Sequence, residues 1–175
     1  LESHCDTELT FNGLNYCSDD YQFIEAIINN SVNIYGSNFH KLNEHYDENG
    51  NGLIEPLEFG TLQEWNISNN RLESWFCDNC YISGELPPEI ENLTSILSLS
   101  LNSNAIYGSI PSQLLNLPQL SYLDLSNNLF SGSNELCNST IDNFNVYNNY
   151  ICEEAQGSTC PSQFNSQMCA PEVVI

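Results

Sequence analysis

The chain has 175 residues, of which 41% are apolar, so it is long enough for one folded domain with a core and too apolar to be disordered. Only Lys41 and Arg71 oppose 23 acidic residues, and the formal net charge is -21. This charge repels phosphate backbones and anionic lipids, which argues against nucleic acid and membrane surfaces as partners, and no apolar stretch approaches the roughly 18 residues of a membrane span.

The eight cysteines indicate an oxidising compartment, because an even number of cysteines in a Ser- and Asn-rich acidic chain is typical of a disulfide framework. We therefore expect an extracellular protein, either secreted or held at the cell surface. The chain begins at Leu1 and shows no basic segment followed by an apolar run, so we expect that a signal peptide has been removed.

Two helices are predicted in the first third of the chain. Asp19 or Asp20 can cap a helix whose apolar residues recur at helical spacing, namely Phe23, Ile24, Ile27 and Ile28. This helix is expected to pack as a cap on the domain. A second helix is predicted from Asn38 to Tyr46.

The segment DENGNGLIEPLE, residues 47–58, alternates oxygen-bearing side chains around a glycine. It matches D-x-[DN]-x-[DN]-G-x5-E and resembles the calcium loop of the EF-hand family, with apolar residues on both flanks. The resemblance implies Ca2+ coordination, because alternate oxygens converge on the ion, Gly52 permits the sharp turn and the last carboxylate closes the shell. The implied ligands are Asp47, Asn49, Asn51, the carbonyl of Leu53, Glu55 through water, and Glu58.

This loop departs from the EF-hand family in two respects, since it stands alone and holds asparagine at two ligand positions. Both departures predict weak binding, suited to millimolar extracellular calcium, at a site that is structural. The alternative interpretation is an ion-free turn of glycine and asparagine in an acid-rich protein. Bound divalent cations would also relieve the self-repulsion of the chain.

Three segments match one another at a step of 24 residues: LESWFCDNCYISGELP from Leu72, ILSLSLNSNAIYGSIP from Ile96 and LSYLDLSNNLFSGSNE from Leu120. Apolar residues recur around one position, which is occupied by Cys80, Asn104 and Asn128. Further matches follow two and four residues later: Ile82, Ile106 and Phe130, then Gly84, Gly108 and Gly132. A shorter fourth copy has Phe144, Val146, Asn149 and Ile151 in the matching positions.

This period and its L-x-x-L-x-L-x-x-N-x-L-x-G pattern are identified as a leucine-rich repeat, and GELP and GSIP resemble the extracellular plant-type subclass. The resemblance covers roughly residues 65–152. The flanks resemble the caps of secreted bacterial proteins with plant-type repeats, in FIEAIINN to NRL before the repeats and in NVYNNYICEEAQGSTC after them. Such a resemblance implies an extracellular interaction protein.

The predicted fold is an α/β repeat: a short leucine-rich-repeat solenoid with a helical N-terminal cap and a disulfide-stapled C-terminal cap. Each turn supplies one short strand whose apolar side chains face a shared interior, so stacked turns bury what one turn cannot. Asn104 and Asn128 are expected to satisfy backbone groups of the turn that follows. The predicted boundaries are 1–71 for the N-terminal cap with the acidic loop, 72–152 for the repeats and 153–175 for the C-terminal cap and tail.

Cys77 and Cys80 form a C-x-x-C motif, which also occurs in redox pairs and as half of a zinc site. A disulfide that seals the first turn is the favoured interpretation, because the chain has no second C-x-x-C and the repeat assigns both cysteines to the interior. Cys5 and Cys17 are expected to staple the N-terminal cap. The other four cysteines permit three connectivities, of which Cys152 with Cys160 and Cys137 with Cys169 is favoured.

Four N-x-[ST] sequons mark candidate glycosylation sites, at Asn29, Asn66, Asn92 and Asn138. A chain this rich in Asn, Ser and Thr shows about four sequons by chance, so their number carries little information. Asn92 and Asn138, near the expected convex side, are the favoured sites.

The residues between the strand leucines are predicted to point outward from the concave sheet. They form three rows in the alignment: Ser74, Ser98, Tyr122 and Asn143; Phe76, Ser100, Asp124 and Asn145; Asp78, Asn102, Ser126 and Tyr147. A flat polar face with aromatic side chains is typical of contact with protein or carbohydrate. The alternative is an ordinary solvated sheet face.

Catalysis finds little support in the sequence. His4, His40 and His45 lie outside the repeats, and neither a nucleophile-elbow serine motif nor H-E-x-x-H occurs. We therefore predict a non-enzymatic protein-interaction module. The apolar, β-prone PEVVI segment favours a self-assembling structural subunit of a filament, matrix or surface layer. The alternative is a secreted or cell-surface recognition or adhesion protein that binds a foreign protein or glycan on the concave face.

Overall fold

The computed structural model describes residue 5 and residues 7–35, 46–131 and 141–151. An antiparallel hairpin comes first, with strands β1 (Glu8–Phe11) and β2 (Leu14–Cys17), and the sequence analysis did not predict it. Asn12 and Gly13 join the strands at positive φ angles of 50° and 79°, as a tight hairpin turn requires. A disulfide joins Cys5 to Cys17, which confirms the predicted pairing.

Helix α1 (Ser18–Tyr35) follows directly, with Asp19 and Asp20 in its first turn. Acidic side chains favour a helix there because they lie next to the positive end of its dipole. The apolar face at helical spacing is buried: Phe23, Ile24, Ile27 and Ile28. The helix lies against the segment around Ser83, whose N–H donates to the hydroxyl of Ser31 at 3.0 Å.

Strands from successive repeats form a ladder that we call the long sheet. A 3₁₀ helix at Pro56–Leu62 precedes β3 (Gln63–Asn66) and β4 (Arg71–Phe76). Strand β5 (Ser83–Glu85) belongs to a second sheet, which we call the short sheet. Strand β6 (Ser98–Ser100) continues the long sheet. Later strands of the two sheets alternate in the same way: β7 (Ala105–Gly108), β8 (Tyr122–Asp124), β9 (Leu129–Phe130) and β10 (Asn143–Asn145).

The long sheet has the order β10-β8-β6-β4-β3, in which β3 pairs antiparallel with β4 and the other neighbours pair in parallel. Its register sets four buried side chains side by side on the inner face: Trp75, Leu99, Leu123 and Phe144. The 24-residue period determines this register from Trp75 to Leu123, and Phe144 follows Leu123 after 21 residues because the fourth copy of the repeat is shorter.

The short sheet consists of β5, β7 and β9, which pair in parallel in that order within the described residues. A short helical segment leads from β5 to β6 and another from β7 to β8. These segments are a 3₁₀ helix at Pro88–Asn92 and helix α2 (Ser112–Leu115). Gly84 and Gly108 adopt left-handed φ angles of 96° and 82°, which explains the repeated glycine.

Trp75 fills the part of the core that adjoins α1. It is fully buried, and its ring meets the rings of Phe23 and Phe59 edge-on at centroid distances of 5.9 and 5.5 Å. Each such pair contributes about 0.5–1.5 kcal/mol beyond the burial of its apolar area. The N-terminal region and the first repeat therefore share one core.

The repeated asparagines form a ladder of hydrogen bonds inside the turns. Nδ2 of Asn104 donates to the carbonyls of Cys77 and Leu101 at 2.8 and 2.9 Å, and Oδ1 accepts the N–H of Ile82 at 3.0 Å. Asn128 and Asn149 make the corresponding bonds in later turns. The direction differs from the prediction, because each side chain points back along the stack and serves its own turn and the preceding repeat.

The first turn has Cys80 at the ladder position instead of asparagine. Cys80 is disulfide-bonded to Cys77, with Cα atoms 5.4 Å apart, which confirms that prediction. The hydroxyl of Tyr46 donates to the Sγ atom of Cys80 at 3.2 Å. The disulfide therefore closes the one described turn of the repeat that lacks the amide.

Several predictions fall outside the described residues. They concern the second helix apart from Tyr46, the four cysteines of the C-terminal cap (Cys137, Cys152, Cys160 and Cys169), the sequon at Asn138 and the PEVVI segment. Among the helices that the structure describes, none is long and apolar enough to cross a membrane.

Candidate functional site

The pairing of the long sheet sets the predicted outward-facing residues in rows. One row joins Ser74, Ser98, Tyr122 and Asn143, and the next joins Phe76, Ser100, Asp124 and Asn145. Backbone hydrogen bonds continue past the strand ends and align the third row, which contains Asp78, Asn102, Ser126 and Tyr147. We call these three rows the strand face. Its role in binding stays a prediction at this point.

The strand face combines exposed aromatic rings with small buried side chains. Phe76, Tyr122 and Tyr147 are 40%, 37% and 48% exposed. The rings of Phe76 and Tyr122 lie 6.2 Å apart between centroids, although their strands β4 and β8 are separated by β6. At this face β6 presents Ser98 and Ser100, which are small enough to let the two rings meet across it. We call Phe76 and Tyr122 the ring pair.

Two carboxylates lie beside the ring pair and are held by hydrogen bonds. Asp78 is exposed, and its Oδ1 accepts the hydroxyl of Ser100 at 2.5 Å and the N–H of Asn102 at 3.1 Å. Asp124 is buried, and its Oδ1 accepts the N–H and the hydroxyl of Ser126 at 2.9 and 2.6 Å. Both carboxylates are therefore fixed in position.

The electrostatic environment of the strand face is negative. The pKa of Tyr122 is raised above its ordinary value, first by burial and then by the charges of Asp124 and Asp78. Arg71 does not offset these charges, because its buried guanidinium donates from Nε and Nη2 to the carboxylate of Asp20 at 2.8 and 2.7 Å. No basic side chain occurs among the residues of the three rows.

The acidic loop at residues 47–58 is held by its own backbone. Oδ1 and Oδ2 of Asp47 accept the N–H groups of Asn51 and Gly52 at 3.1 and 2.8 Å. The two carboxylate oxygens of Glu58 accept the N–H groups of residues 49 and 55 at 3.2 and 2.8 Å. Beyond both ends of the loop, Tyr46 and Phe59 pack with ring centroids 4.8 Å apart. The first and last predicted ligands are thus fixed before any ion binds.

The donor set of the loop suits a hard cation, because Ca2+ takes oxygen ligands and each predicted ligand residue offers an oxygen. The Oδ1 atoms of Asn49 and Asn51 accept backbone N–H groups two residues later, which orients both amides. In the described part of the chain no three His, Cys, Asp or Glu residues form a group that could hold a metal. An ion here would depend on amide and backbone oxygens as well as carboxylates, so calcium stays a prediction.

The sequons in the described residues differ in how free their amides are. Asn29 is exposed on α1, and Asn92 is half-buried. The amide of Asn66 is engaged, since Nδ2 donates to Oε1 of Glu73 at 2.7 Å and Oδ1 accepts the N–H of Ser68 at 2.8 Å. Glycosylation at these positions stays a prediction.

A groove of about 380 Å³ lies between the β1–β2 hairpin and β3 and was not predicted from the sequence. Leu14, Trp65 and Ile67 are among its lining residues, and Tyr16 meets Trp65 edge-on at 5.0 Å between ring centroids. Ile67 is 89% exposed. The Asn12-Gly13 pair was the signal that could have revealed the hairpin and therefore this groove.

No protein-family model and no curated protein sequence matches the chain. Solved structures do match it. The BIR2 ectodomain from Arabidopsis thaliana is 25% identical over 76% of this chain and 68% of its own, with a TM-score of 0.52. The leucine-rich-repeat ectodomain of the receptor kinase SOBIR1 from the same plant is 17% identical over 79% of this chain and 71% of its own, with a TM-score of 0.52.

A chain of the BIR3–SERK2 complex from Arabidopsis thaliana is 33% identical over 52% of this chain and 51% of its own, with a TM-score of 0.47. This chain therefore spans about half the length of that relative. The two broader matches show that the described fold is similar to plant leucine-rich-repeat ectodomains. The predicted plant-type extracellular repeat is confirmed at this level.

Proposed function

We propose that this protein is an extracellular protein-interaction module that holds its partner on the strand face. The observation that carries the proposal is the exposed ring pair, Phe76 and Tyr122, which lies across β6 beside two fixed carboxylates. Exposed aromatic side chains on a rigid backbone are typical of protein-binding surfaces, because they provide large contact areas and lose little conformational entropy.

Preorganisation supports this proposal. The parallel strand bonds fix the rows of the strand face, and the asparagine ladder ties each turn to the one before it. Few groups of the strand face would therefore lose conformational freedom when a partner binds, which lowers the entropic cost of association. The open shape of a sheet face also suits a macromolecule better than a small substrate, which needs a concave site.

An extracellular location agrees with the two described disulfides, because such bonds persist in oxidising compartments. We propose no catalytic role for the strand face, since Asp78 and Asp124 accept hydrogen bonds that position its backbone and serines. The resemblance of the caps to secreted bacterial proteins stays a prediction.

A glycan wedge on the strand face tests the proposal. Ser98→Asn creates an N-x-S sequon with Ser100 on β6, between the two strands that carry the ring pair, whereas Tyr107→Asn creates one with Ser109 on the exposed side of the short sheet. Both variants and the unmodified protein are produced in a glycosylating host, and attachment is checked by mass. Each protein is then displayed as a labelled tetramer and tested for binding to arrayed extracellular proteins.

We expect the Ser98→Asn glycan to abolish binding to any captured protein, because it covers the ring pair, and the Tyr107→Asn glycan to leave binding unchanged. Equal binding by both variants would place the contact elsewhere and would refute the proposal. Loss of binding when glycans are stripped from the arrayed proteins would mean that the face takes a glycan, which is the alternative partner.

We also propose that the acidic loop binds Ca2+ as a structural ion, with Asp47, Asn49, Asn51, Glu58 and the carbonyl of Leu53 as direct ligands. Binding to the folded state alone stabilises a protein in proportion to the logarithm of ion concentration. We therefore expect millimolar Ca2+ to raise the melting temperature of the native chain and of a Glu48→Gln control, but not of Asp47→Asn. An equal rise in all three proteins would indicate general charge screening instead.

Self-assembly is a second candidate function. In the described part of the chain it is favoured by exposed apolar side chains along the short sheet, Tyr107, Leu129 and Tyr150. The net charge of -21 opposes the approach of two copies. Light scattering of the whole chain with and without a calcium chelator checks it, and monomers in both conditions would exclude a filament. Deletion of PEVVI should abolish assembly if that segment joins copies by strand addition.

A further inference from the structure

We propose that the strand face recognises a cationic extended segment of its protein partner, in which two arginine or lysine side chains stand two residues apart. This inference rests on the proposed function and adds the chemical class of the partner. It is carried by the juxtaposition of the exposed ring pair with the carboxylates of Asp78 and Asp124.

Charge complementarity selects a cationic partner. The chain carries a net charge of -21, and the rows of the strand face contain two carboxylates and no basic side chain. The pKa of Tyr122 is raised, first by burial and then by the charges of Asp124 and Asp78, which agrees with a negative potential at the ring pair. A long-range negative field of this kind speeds the approach of positive segments and slows that of acidic ones.

The ring pair and the carboxylates can bind the same cation. A guanidinium or ammonium group attracts the face of an aromatic ring, and arginine can stack on it while its N–H groups reach a carboxylate. Both described hydrogen bonds to Asp78 end on Oδ1, which leaves Oδ2 for a partner. Asp78 is exposed, so a cation that lies over Phe76 can pair with it without being buried.

The spacing follows from the sheet. The rings of Phe76 and Tyr122 meet across β6, with their centroids 6.2 Å apart. An extended peptide advances about 3.3 Å per residue. Side chains two residues apart lie on the same face of such a segment, about 6.6 Å from each other, so they match the separation of the two rings.

The probe is a soluble peptide with an Arg-x-Arg motif in a Gly/Ser background. A matched peptide carries citrulline at both positions, which keeps the shape and removes the charge. Binding to the whole chain is measured by fluorescence anisotropy at 50 and 150 mM salt. The face variants are Asp78→Asn and the double variant Phe76→Ser with Tyr122→Ser, and the controls are Glu85→Gln and Tyr107→Ser on the short sheet.

We expect the arginine peptide to bind more tightly than the citrulline peptide and to lose affinity as salt rises. Asp78→Asn should weaken it by about 3-fold and the double ring variant by roughly 5-fold or more, as the loss of one exposed charge pair and of two cation–π contacts implies, while the controls stay within about 1.5-fold. Melting temperatures of all variants verify that they fold. Equal losses in face and control variants would show diffuse attraction to an acidic protein and would overturn the inference, as would no preference for arginine.

The glycan-wedge experiment separates this inference from the proposed function. If Ser98→Asn blocks a captured partner and Asp78→Asn does not weaken it, the strand face binds protein but does not select cations, and only the inference fails. If Ser98→Asn blocks nothing, the proposed function fails as well.

Discussion

Arg71 makes the buried ion pair that joins α1 to the first strand of the repeat array, and its removal should be one of the most destabilising single changes in the described chain. The side chains of Arg71 and Asp20 are 3% and 1% exposed. Nη2 of Arg71 also donates to the carbonyl of Asn92 at 2.7 Å, and Asp20 accepts the N–H of Leu72 at 2.8 Å. One guanidinium therefore connects three segments.

The magnitude follows from what Arg71→Met leaves behind. The carboxylate of Asp20 would stay buried with one N–H donor instead of three, and the carbonyl of Asn92 would lose its charged donor. Breaking a buried ion pair by removing one partner costs about 3–5 kcal/mol. This is a large share of a typical unfolding free energy of about 5–15 kcal/mol.

Urea unfolding with the disulfides intact measures the loss. With a slope of about 2 kcal/mol per M, the Arg71→Met midpoint should fall by about 1.5–2.5 M. The double variant Asp20→Asn with Arg71→Met should recover at least about 1 kcal/mol, because no charge stays buried and the amide oxygen can still accept the N–H of Leu72. Glu25→Gln, an exposed change on the same helix, is the control and should stay within about 0.5 kcal/mol.

Two results would refute this reasoning. A loss below about 1 kcal/mol for Arg71→Met would mean that the pair is solvated in the native state. A double variant less stable than Arg71→Met alone would mean that the buried charge of Asp20 is not what destabilises the single variant.

Three further predictions concern the ladder, the tyrosines and the repeat glycine. Asn128→Ala leaves the N–H of Ile106 without its acceptor, so we expect a loss of about 2–4 kcal/mol and faster hydrogen exchange at that amide; unchanged exchange would contradict it. Gly108→Ala adds a Cβ to a residue whose φ is 82°, and this atom would lie 3.0 Å from Cγ of Glu85. The change should lower the free energy of unfolding by about 1–2 kcal/mol in a thermal unfolding experiment, and Glu85→Ala in the same chain should recover only the part caused by the close contact. The raised pKa values of Tyr21, Tyr46 and Tyr122 stabilise the folded state below the unfolded pKa of about 10, and this contribution is lost as pH rises through the folded pKa values. Stability in urea should therefore fall as pH rises above about 10, and it should fall less in a variant with phenylalanine at these three positions; an equal fall in both proteins would contradict the prediction.

The strand register could be predicted because the repeat alone determines it. Once Asn104 and Asn128 are aligned at a step of 24 residues, every strand residue between them has a defined neighbour, and the structure pairs Ser98 with Tyr122 accordingly. The disulfide between Cys77 and Cys80 could be predicted for the same reason, because the repeat places both side chains in one turn. Local periodicity carried this information.

Contacts between distant segments could not be predicted from a pattern. Arg71 and Asp20 are 51 residues apart in sequence, and neither residue stands out as a buried partner by its type. The same holds for the ring pair, since the alignment places Phe76 and Tyr122 in different rows and only side-chain packing brings their rings together across β6. The hairpin at residues 8–17 is a different case, because its signal is local: Asn12-Gly13 lies between two short segments in which apolar and polar residues alternate, so the hairpin could have been predicted and was overlooked.

The replacement of the ladder asparagine by Cys80 gives the array a definite first module. Each later described turn uses its ladder amide to hydrogen-bond with the preceding turn. The first turn is instead closed by its own disulfide, and the sulfur of Cys80 accepts the hydroxyl of Tyr46. Extra 24-residue modules could therefore be inserted after Cys80 without altering the ladder hydrogen bonds of either neighbour. A module inserted before Cys80 would lack the ladder hydrogen bonds from the turn that follows it. Growth in this architecture is one-directional, and gene duplication or design could lengthen the binding surface only toward the later repeats.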